Sequence, residues 1–161
     1  MTLAYLLLGG NLGDRFAQVS NALQNIERDV GTVISRSSLY ETEAWGKEDV
    51  PAYLNQVVAV DTELTARELL ETVQEIEKRM GRARMEKWGS RLIDIDILFY
   101  GEECIDEPDL IIPHPFLAQR KFTLIPLNEI AADLIHPVFH KTVRELLSEL
   151  KDPLTVLKVT R

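Results

Sequence analysis

The spacing of apolar and polar residues divides most of the chain into short elements. Leu3-Ala4-Tyr5-Leu6-Leu7-Leu8 is apolar throughout. It lacks a basic flank and is too short to cross a bilayer, so it reads as a buried first strand, neither signal peptide nor anchor. Residues 9–14 supply turn formers, and Phe16, Val19, Leu23, Ile26 and Val30 then recur at helical spacing up to about Gly31. Residues 32–41 and 53–62 are short, apolar-rich and β-branched, and predict two strands around a long turn-forming segment, 42–51. Thr65 and Glu68 have capping-box spacing ahead of Leu69, Val73, Ile76 and Met80, and Gly81 is placed to stop that helix. After a polar, basic connection, residues 91–100 form the next strand.

The resulting order, β-α-β-β-α-β, predicts an α+β fold: a ferredoxin-like antiparallel sheet with both helices on one face and the other face open for chemistry. Pro108, Pro113, Pro115 and Pro126 predict an irregular stretch from 105 to 126. Thr142 and Glu145 cap a last helix carrying Val143, Leu146, Leu147 and Leu150, so the sheet has C-terminal helical additions. Residues 151–161 carry no interpretable motif. With 161 residues, 45% of them hydrophobic, and neither repeats nor a low-complexity linker, a single domain over 1–161 is expected.

Charge narrows the function classes. A formal charge of −8 argues against general binding to nucleic acid or membrane surfaces, so any basic site must be local. The single cysteine, Cys104, excludes an internal disulfide framework and a cysteine-rich zinc site, and points to a cytoplasmic location.

The chemistry concentrates in residues 78–96. Asp94 and Asp96 lie two apart in a segment otherwise apolar enough for a central strand, so Ile93, Ile95 and Ile97 face the core while both acids project the other way, about 6–7 Å apart at Cα. Carboxylates that close require positive charge between them, and Mg²⁺ with phosphate co-ligands supplies it. Six of the eighteen basic residues, Lys78, Arg79, Arg82, Arg84, Lys87 and Arg91, fall just before the pair. Guanidinium forks there could hold a polyphosphate from the other side. A salt-bridged surface loop and two solvated acids are the plainer readings of either feature alone. The turn at 9–13 lacks the residues of a P-loop or a dinucleotide fingerprint. His136 and His140 have no acid or cysteine at ligand spacing and read as structural or exposed. Trp45, Tyr53, Trp88 and Phe122 could be core aromatics, or platforms for a flat ring.

In order, the motifs are Leu8-Gly9-Gly10-Asn11-Leu12-Gly13-Asp14, Tyr40-Glu41-Thr42-Glu43, Tyr53-Leu54-Asn55, Gly81-Arg82-Ala83-Arg84, Trp88-Gly89-Ser90-Arg91-Leu92-Ile93-Asp94-Ile95-Asp96-Ile97-Leu98, and Pro113-His114-Pro115 through Arg120-Lys121-Phe122 to Pro126-Leu127. From residue 1 to about 150 the chain resembles the 6-hydroxymethyl-7,8-dihydropterin pyrophosphokinase family of folate biosynthesis. The resemblance implies a ferredoxin-like fold and transfer of the βγ-pyrophosphate of ATP to a pterin hydroxymethyl group, leaving AMP. It implies that Asp94 and Asp96 bind two Mg²⁺ ions, and that Arg82 and Arg91 are the loop arginines that close over the triphosphate. It further implies ATP contacts from Gln74, Glu77, Arg84, Trp88, the backbone near Ile97, His114 and Arg120. The pterin would stack between Tyr53 and Phe122, with Asn55 on its amide edge and Thr42, Glu43 and Trp45 in the neighbouring loop. The partners so implied are ATP and the pterin, with a monomeric chain, no nucleic acid and no membrane. Ser90 stands where the family usually has proline, which leaves the rate of loop closure open, and Gly10 replaces a frequent serine. A non-catalytic nucleotide-binding module and a Mg²⁺-dependent nuclease or phosphatase are the competing classes. Neither needs paired acids, loop arginines and ring-stacking positions together.

Overall fold

Strand β1 (Thr2–Gly10) organises the fold because it is hydrogen-bonded along both edges, antiparallel to β4 (Tyr53–Thr62) on one side and to β5 (Asp94–Tyr100) on the other. The computed structural model describes residues 1–43, 52–81 and 92–160. Helix α1 (Arg15–Asp29) follows β1, and α2 (Ala66–Arg79) follows β4. Asp14 starts α1 by accepting the N–H of Ala17, and Thr65 and Glu68 close the expected capping box on α2. Gly81, with φ of 96°, takes the left-handed conformation that ends α2 at low steric cost.

Strand order is β5-β1-β4, with β2 (Gly31–Arg36) and β3 (Leu39–Thr42) both on the outer side of β4, and β8 (Val156–Val159) beyond β3. Counting β2 and β3 as one interrupted strand gives the ferredoxin-like βαββαβ order. The single strand predicted over 32–41 is broken at Ser37 and Ser38 for a local reason. Ser37 is buried, its N–H donates to the Val57 carbonyl, and its Oγ accepts the Val57 N–H at 3.0 Å, so a side chain replaces one rung of the ladder. The freed N–H of Ser38 donates to the Glu129 carboxylate, which also accepts from the Ser38 and Tyr40 hydroxyls, the latter at 2.6 Å.

Glu129 belongs to an element the prolines hid. Residues 105–126 are not irregular: β6 (Ile105–Glu107) and β7 (Leu110–Ile112) form a hairpin turning at Pro108-Asp109, Leu117–Gln119 makes a 3₁₀ turn, and α3 runs over Lys121–Ala131 with Pro126 inside it. An interior proline costs about 3 kcal/mol. Burying Leu124, Pro126 and Leu127 against the sheet offsets that cost. Helix α4 (Val143–Glu149) carries the expected Thr142/Glu145 capping box.

The sheet therefore has a core on each face. Ala4, Leu6, Leu8, Val58, Val60 and Ile93, Ile95 and Ile97 pack against α1 and α2, whereas Tyr5, Leu7, Val57, Ala59, Leu98 and Phe99 pack against Leu124 and Leu127 of α3 and Val143 and Leu146 of α4. The expectation of a wholly open second face is corrected here. Its residues are apolar along most of β1, and strands apolar on both faces are covered on both. Pairing of β5 with β1 slips by one residue between Leu6 and Tyr5, leaving Leu98 as the bulged residue. The bulge carbonyl accepts the His114 N–H at 3.0 Å, tying the Pro113-His114-Pro115 segment to β5.

Burial, then the Glu129 hydrogen bond, pushes the Tyr40 hydroxyl up to about 12. Glu129→Ala would leave that buried hydroxyl and the Ser38 N–H without their acceptor, at a cost of about 1–3 kcal/mol. Urea unfolding should show a lower midpoint with an unchanged slope; an unmoved midpoint would show that this bracket between α3 and the split strand contributes nothing.

Candidate active site

Where α3 and α4 stop covering the second face of the sheet, a cleft of about 330 Å³ opens at the Gly9 end of β1. Its wall contains Thr42, Glu43, Tyr53, Asn55, Asp94, Asp96, Arg120 and Phe122, eight positions singled out from the sequence, together with Leu7, Gly9 and Leu154.

Strand register brings the polar floor together. Gly9 pairs with Asn55 on one side and Asp94 on the other, and Leu7 pairs with Asp96. Period-two alternation then places Asn55 and both aspartates on the side away from α1 and α2. Gly9 and Gly10 are paired strand residues and not the turn expected at 9–14. At Gly9 a Cβ would lie 2.1 Å from the Asn55 Nδ2, so the glycine is what lets the Asn55 side chain cross the strand and donate to the Leu8 carbonyl at 3.3 Å.

Asn55 is 4% exposed and Thr42 3%, yet Asn55 Oδ1 and Thr42 Oγ1 have no hydrogen-bond partner among the described residues. Unpaired polar atoms at that depth cost about 1–3 kcal/mol each. Both line the cleft, so a ligand whose edge carries donors would relieve them. Tyr53, paired with Thr42 across β3 and β4, and Phe122 supply aromatic surface in the same cavity.

Arg120 and Phe122 are placed by the start of α3. The Arg120 guanidinium lies over two rings, 5.1 Å from the centre of Phe116 and 5.6 Å from that of Phe122, which carries a fixed positive charge to the cleft wall. Asp94 and Asp96, half-buried on β5, supply the negative side.

The other expected residues fall elsewhere. Gln74 is exposed on α2. Glu77 is buried, and its Oε2 accepts the Ile95 N–H at 2.8 Å, so it buttresses edge strand β5 between the two aspartates. The Ile97 side chain packs into the α1/α2 core. His114 lines a separate cleft of about 280 Å³ beside Ile112 and His136, and its Nδ1 accepts the Phe116 N–H. His136, as expected, is structural: buried, stacked on Phe139 at 4.2 Å, and accepting the N–H groups of Val138 and Phe139. Trp45, Arg82, Arg84, Trp88 and Arg91 lie outside the described residues. Sequence reasoning missed Gly9, for which a glycine within a strand pattern was the available signal, and Leu154, for which there was none.

The family model for 7,8-dihydro-6-hydroxymethylpterin-pyrophosphokinase (HPPK) matches residues 5–132. The chain belongs to the HPPK family. It is 44% identical over 160 residues to the 2-amino-4-hydroxy-6-hydroxymethyldihydropteridine pyrophosphokinase of Methylorubrum extorquens, with 99% of both chains covered. It is 41% identical over 161 residues to that of Aquifex aeolicus, covering 99% of this chain and 100% of the other. Among solved structures, the wild-type HPPK-DHPS of Plasmodium falciparum with pteroate superposes with a TM-score of 0.76 at 19% identity, covering 92% of this chain. The chain spans 42% of that longer protein, and the likeness concerns the fold. Within this HPPK-family chain, the family match takes in the whole cleft except Leu154.

Burial, and then the charge of Arg120, lower the His114 pKa from its ordinary 6.5 to about 4. The unfolded chain takes up that proton first, so the stability this group contributes is whole above about pH 6.5 and declines as pH falls toward 4. NMR titration should place the His114 midpoint near 4 and move it upward in Arg120→Ala. A midpoint near 6.5 in the unaltered chain would contradict the placement.

Proposed function

We infer that this chain transfers the pyrophosphoryl group of ATP to the hydroxymethyl group of 6-hydroxymethyl-7,8-dihydropterin, giving the pterin diphosphate and AMP in tetrahydrofolate biosynthesis. The reaction is assigned to the cleft between β5 and α3. One observation carries the assignment: the paired carboxylates Asp94 and Asp96 share that cleft with two buried polar atoms, of Thr42 and Asn55, that have no partner among the described residues.

The donor set fits Mg²⁺. No group of three or more His, Cys, Asp or Glu side chains converges among the described residues. Two carboxylates therefore suit a hard cation that fills its other positions with water and phosphate oxygens. Asp94 and Asp96 would hold two such ions. When bound, these supply the charge that neutralises the triphosphate and acidifies the acceptor hydroxyl.

The remaining work falls to the protein. Asn55 Oδ1 and Thr42 Oγ1 accept from the N–H groups of the pterin's amide edge, so a ring lacking those donors leaves both atoms unpaired and is rejected. Tyr53 and Phe122 hold the bicyclic ring between them, which fixes the hydroxymethyl group relative to the β-phosphate. Arg120, braced by Phe116 and Phe122, offsets phosphate charge at the cleft wall. Arg82 and Arg91 carry the charge on the transferring group, and Arg84, Trp88, His114 and Gln74 serve the nucleotide. Glu77 acts on ATP indirectly, by holding β5. Trp45 and Glu43 border the pterin. The same reading takes the enzyme to be a cytoplasmic monomer; the exposed, free Cys104 fits a reducing compartment. Among the described residues no helix is long and apolar enough to cross a membrane.

With ATP, Mg²⁺ and the pterin supplied, AMP should accumulate, and no AMP above a pterin-free control would overturn the assignment. Asp94→Asn and Asp96→Asn should each lower kcat by roughly 10²-fold or more while the fold persists. Asn55→Ala should act mainly on the KM for the pterin, raising it roughly 10-fold or more.

A further inference from the structure

We propose that the C-terminal segment 151–159, which lies beyond the family match ending at residue 132, is a working wall of the pterin subsite, with Leu154 as its ligand-facing surface and Asp152 as its anchor. This deepens the function proposed above and rests on it.

Three observations converge. Leu154 lines the same cleft as Asn55, Phe122 and the paired aspartates. Asp152 binds in two directions at once: its Oδ1 accepts the Leu154 N–H at 2.9 Å, and its Oδ2 accepts the Lys121 N–H at 3.0 Å. Lys121 opens α3 between Arg120 and Phe122, both in the cleft wall. The N-cap position, Arg120, offers that helix no side-chain hydrogen bond. Asp152 thus supplies from a distant part of the chain the acceptor and negative charge that a helix start ordinarily takes from its own cap. Finally, β8 pairs with β3, setting Val156 opposite Thr42.

Leu154 is therefore held on both sides. Asp152 fixes it to the helix that presents Phe122, and Val156 fixes it to the strand that presents Thr42. A branched aliphatic side chain so placed can only meet a ligand through van der Waals contact, and a flat heterocycle offers its ring face or an apolar edge for that. Leu154 accordingly sets the size of ring the subsite admits, and Asp152 is a positioning residue for Leu154, Arg120 and Phe122.

The test is equilibrium binding of 6-hydroxymethylpterin, read by its own fluorescence, beside steady-state kinetics, on the full chain. Leu154→Ala should raise the pterin Kd and KM about 10-fold while the KM for ATP stays within about 2-fold. Asp152→Ala should also weaken pterin binding, and Asp152→Asn, which retains a carbonyl oxygen, should recover part of the loss. Circular dichroism melts establish that each variant is folded. Pterin binding unchanged in Leu154→Ala, or an equal rise in both KM values, would overturn the wall. A wild-type chain that binds the pterin and releases no AMP would defeat the proposed reaction while leaving the wall standing; one that binds no pterin would defeat both.

Discussion

The register of β5 against β1 is the constraint on which the site depends. Because side chains alternate, one register sends Ile93, Ile95 and Ile97 into the α1/α2 core and turns Asp94 and Asp96 toward the cleft. A slip of one residue would bury two carboxylates and expose three isoleucines, a loss of several kcal/mol from the apolar side chains alone. Two features pin that register. The bulge at Leu98 lets Phe99 join the α3/α4 core while Tyr100 returns to the other, so both ends of the strand are fixed by packing. Glu77 then takes the Ile95 N–H on the outer edge, between the two acids.

Polar satisfaction separates scaffold from site. At the break between β2 and β3 each displaced backbone group finds a partner in Ser37, Gln56 or Glu129. In the cleft, Thr42 Oγ1 and Asn55 Oδ1 are as deeply buried and have none among the described residues. Asn128 Oδ1, on α3, is a further such atom among the described residues, and it lines none of the clefts described above. The fold thus satisfies its irregular strand and leaves two cleft residues with acceptor capacity that a ligand carrying complementary donors would fill.

Much of this was legible in the sequence where a local rule sufficed. Both capping boxes, the Gly81 stop and the alternation around Asp94 and Asp96 are set by neighbours a few residues apart. The rest was hidden by long-range effects. Prolines suggested irregular chain over 105–126, because the cost of Pro126 inside α3 is offset only by burial against a sheet face that tertiary packing defines. That face could have been anticipated: Leu3 to Leu8 has no polar side, so cover was needed on both. The split at Ser37 requires Glu129, distant in sequence, and strand β8 and the placement of Leu154 in the cleft follow from pairing with β3 and from the Asp152 bonds, none of which leaves a local pattern.

Whether the two aspartates hold the metal can be seen in a crystal structure of the chain with Mg²⁺, a non-hydrolysable ATP analogue and the pterin. Mg²⁺ should be coordinated by carboxylate oxygens of both Asp94 and Asp96, at about 2.1 Å, with the pterin edge on Asn55 and Thr42. Metal and phosphates held elsewhere, with these two aspartates facing only solvent, would contradict it.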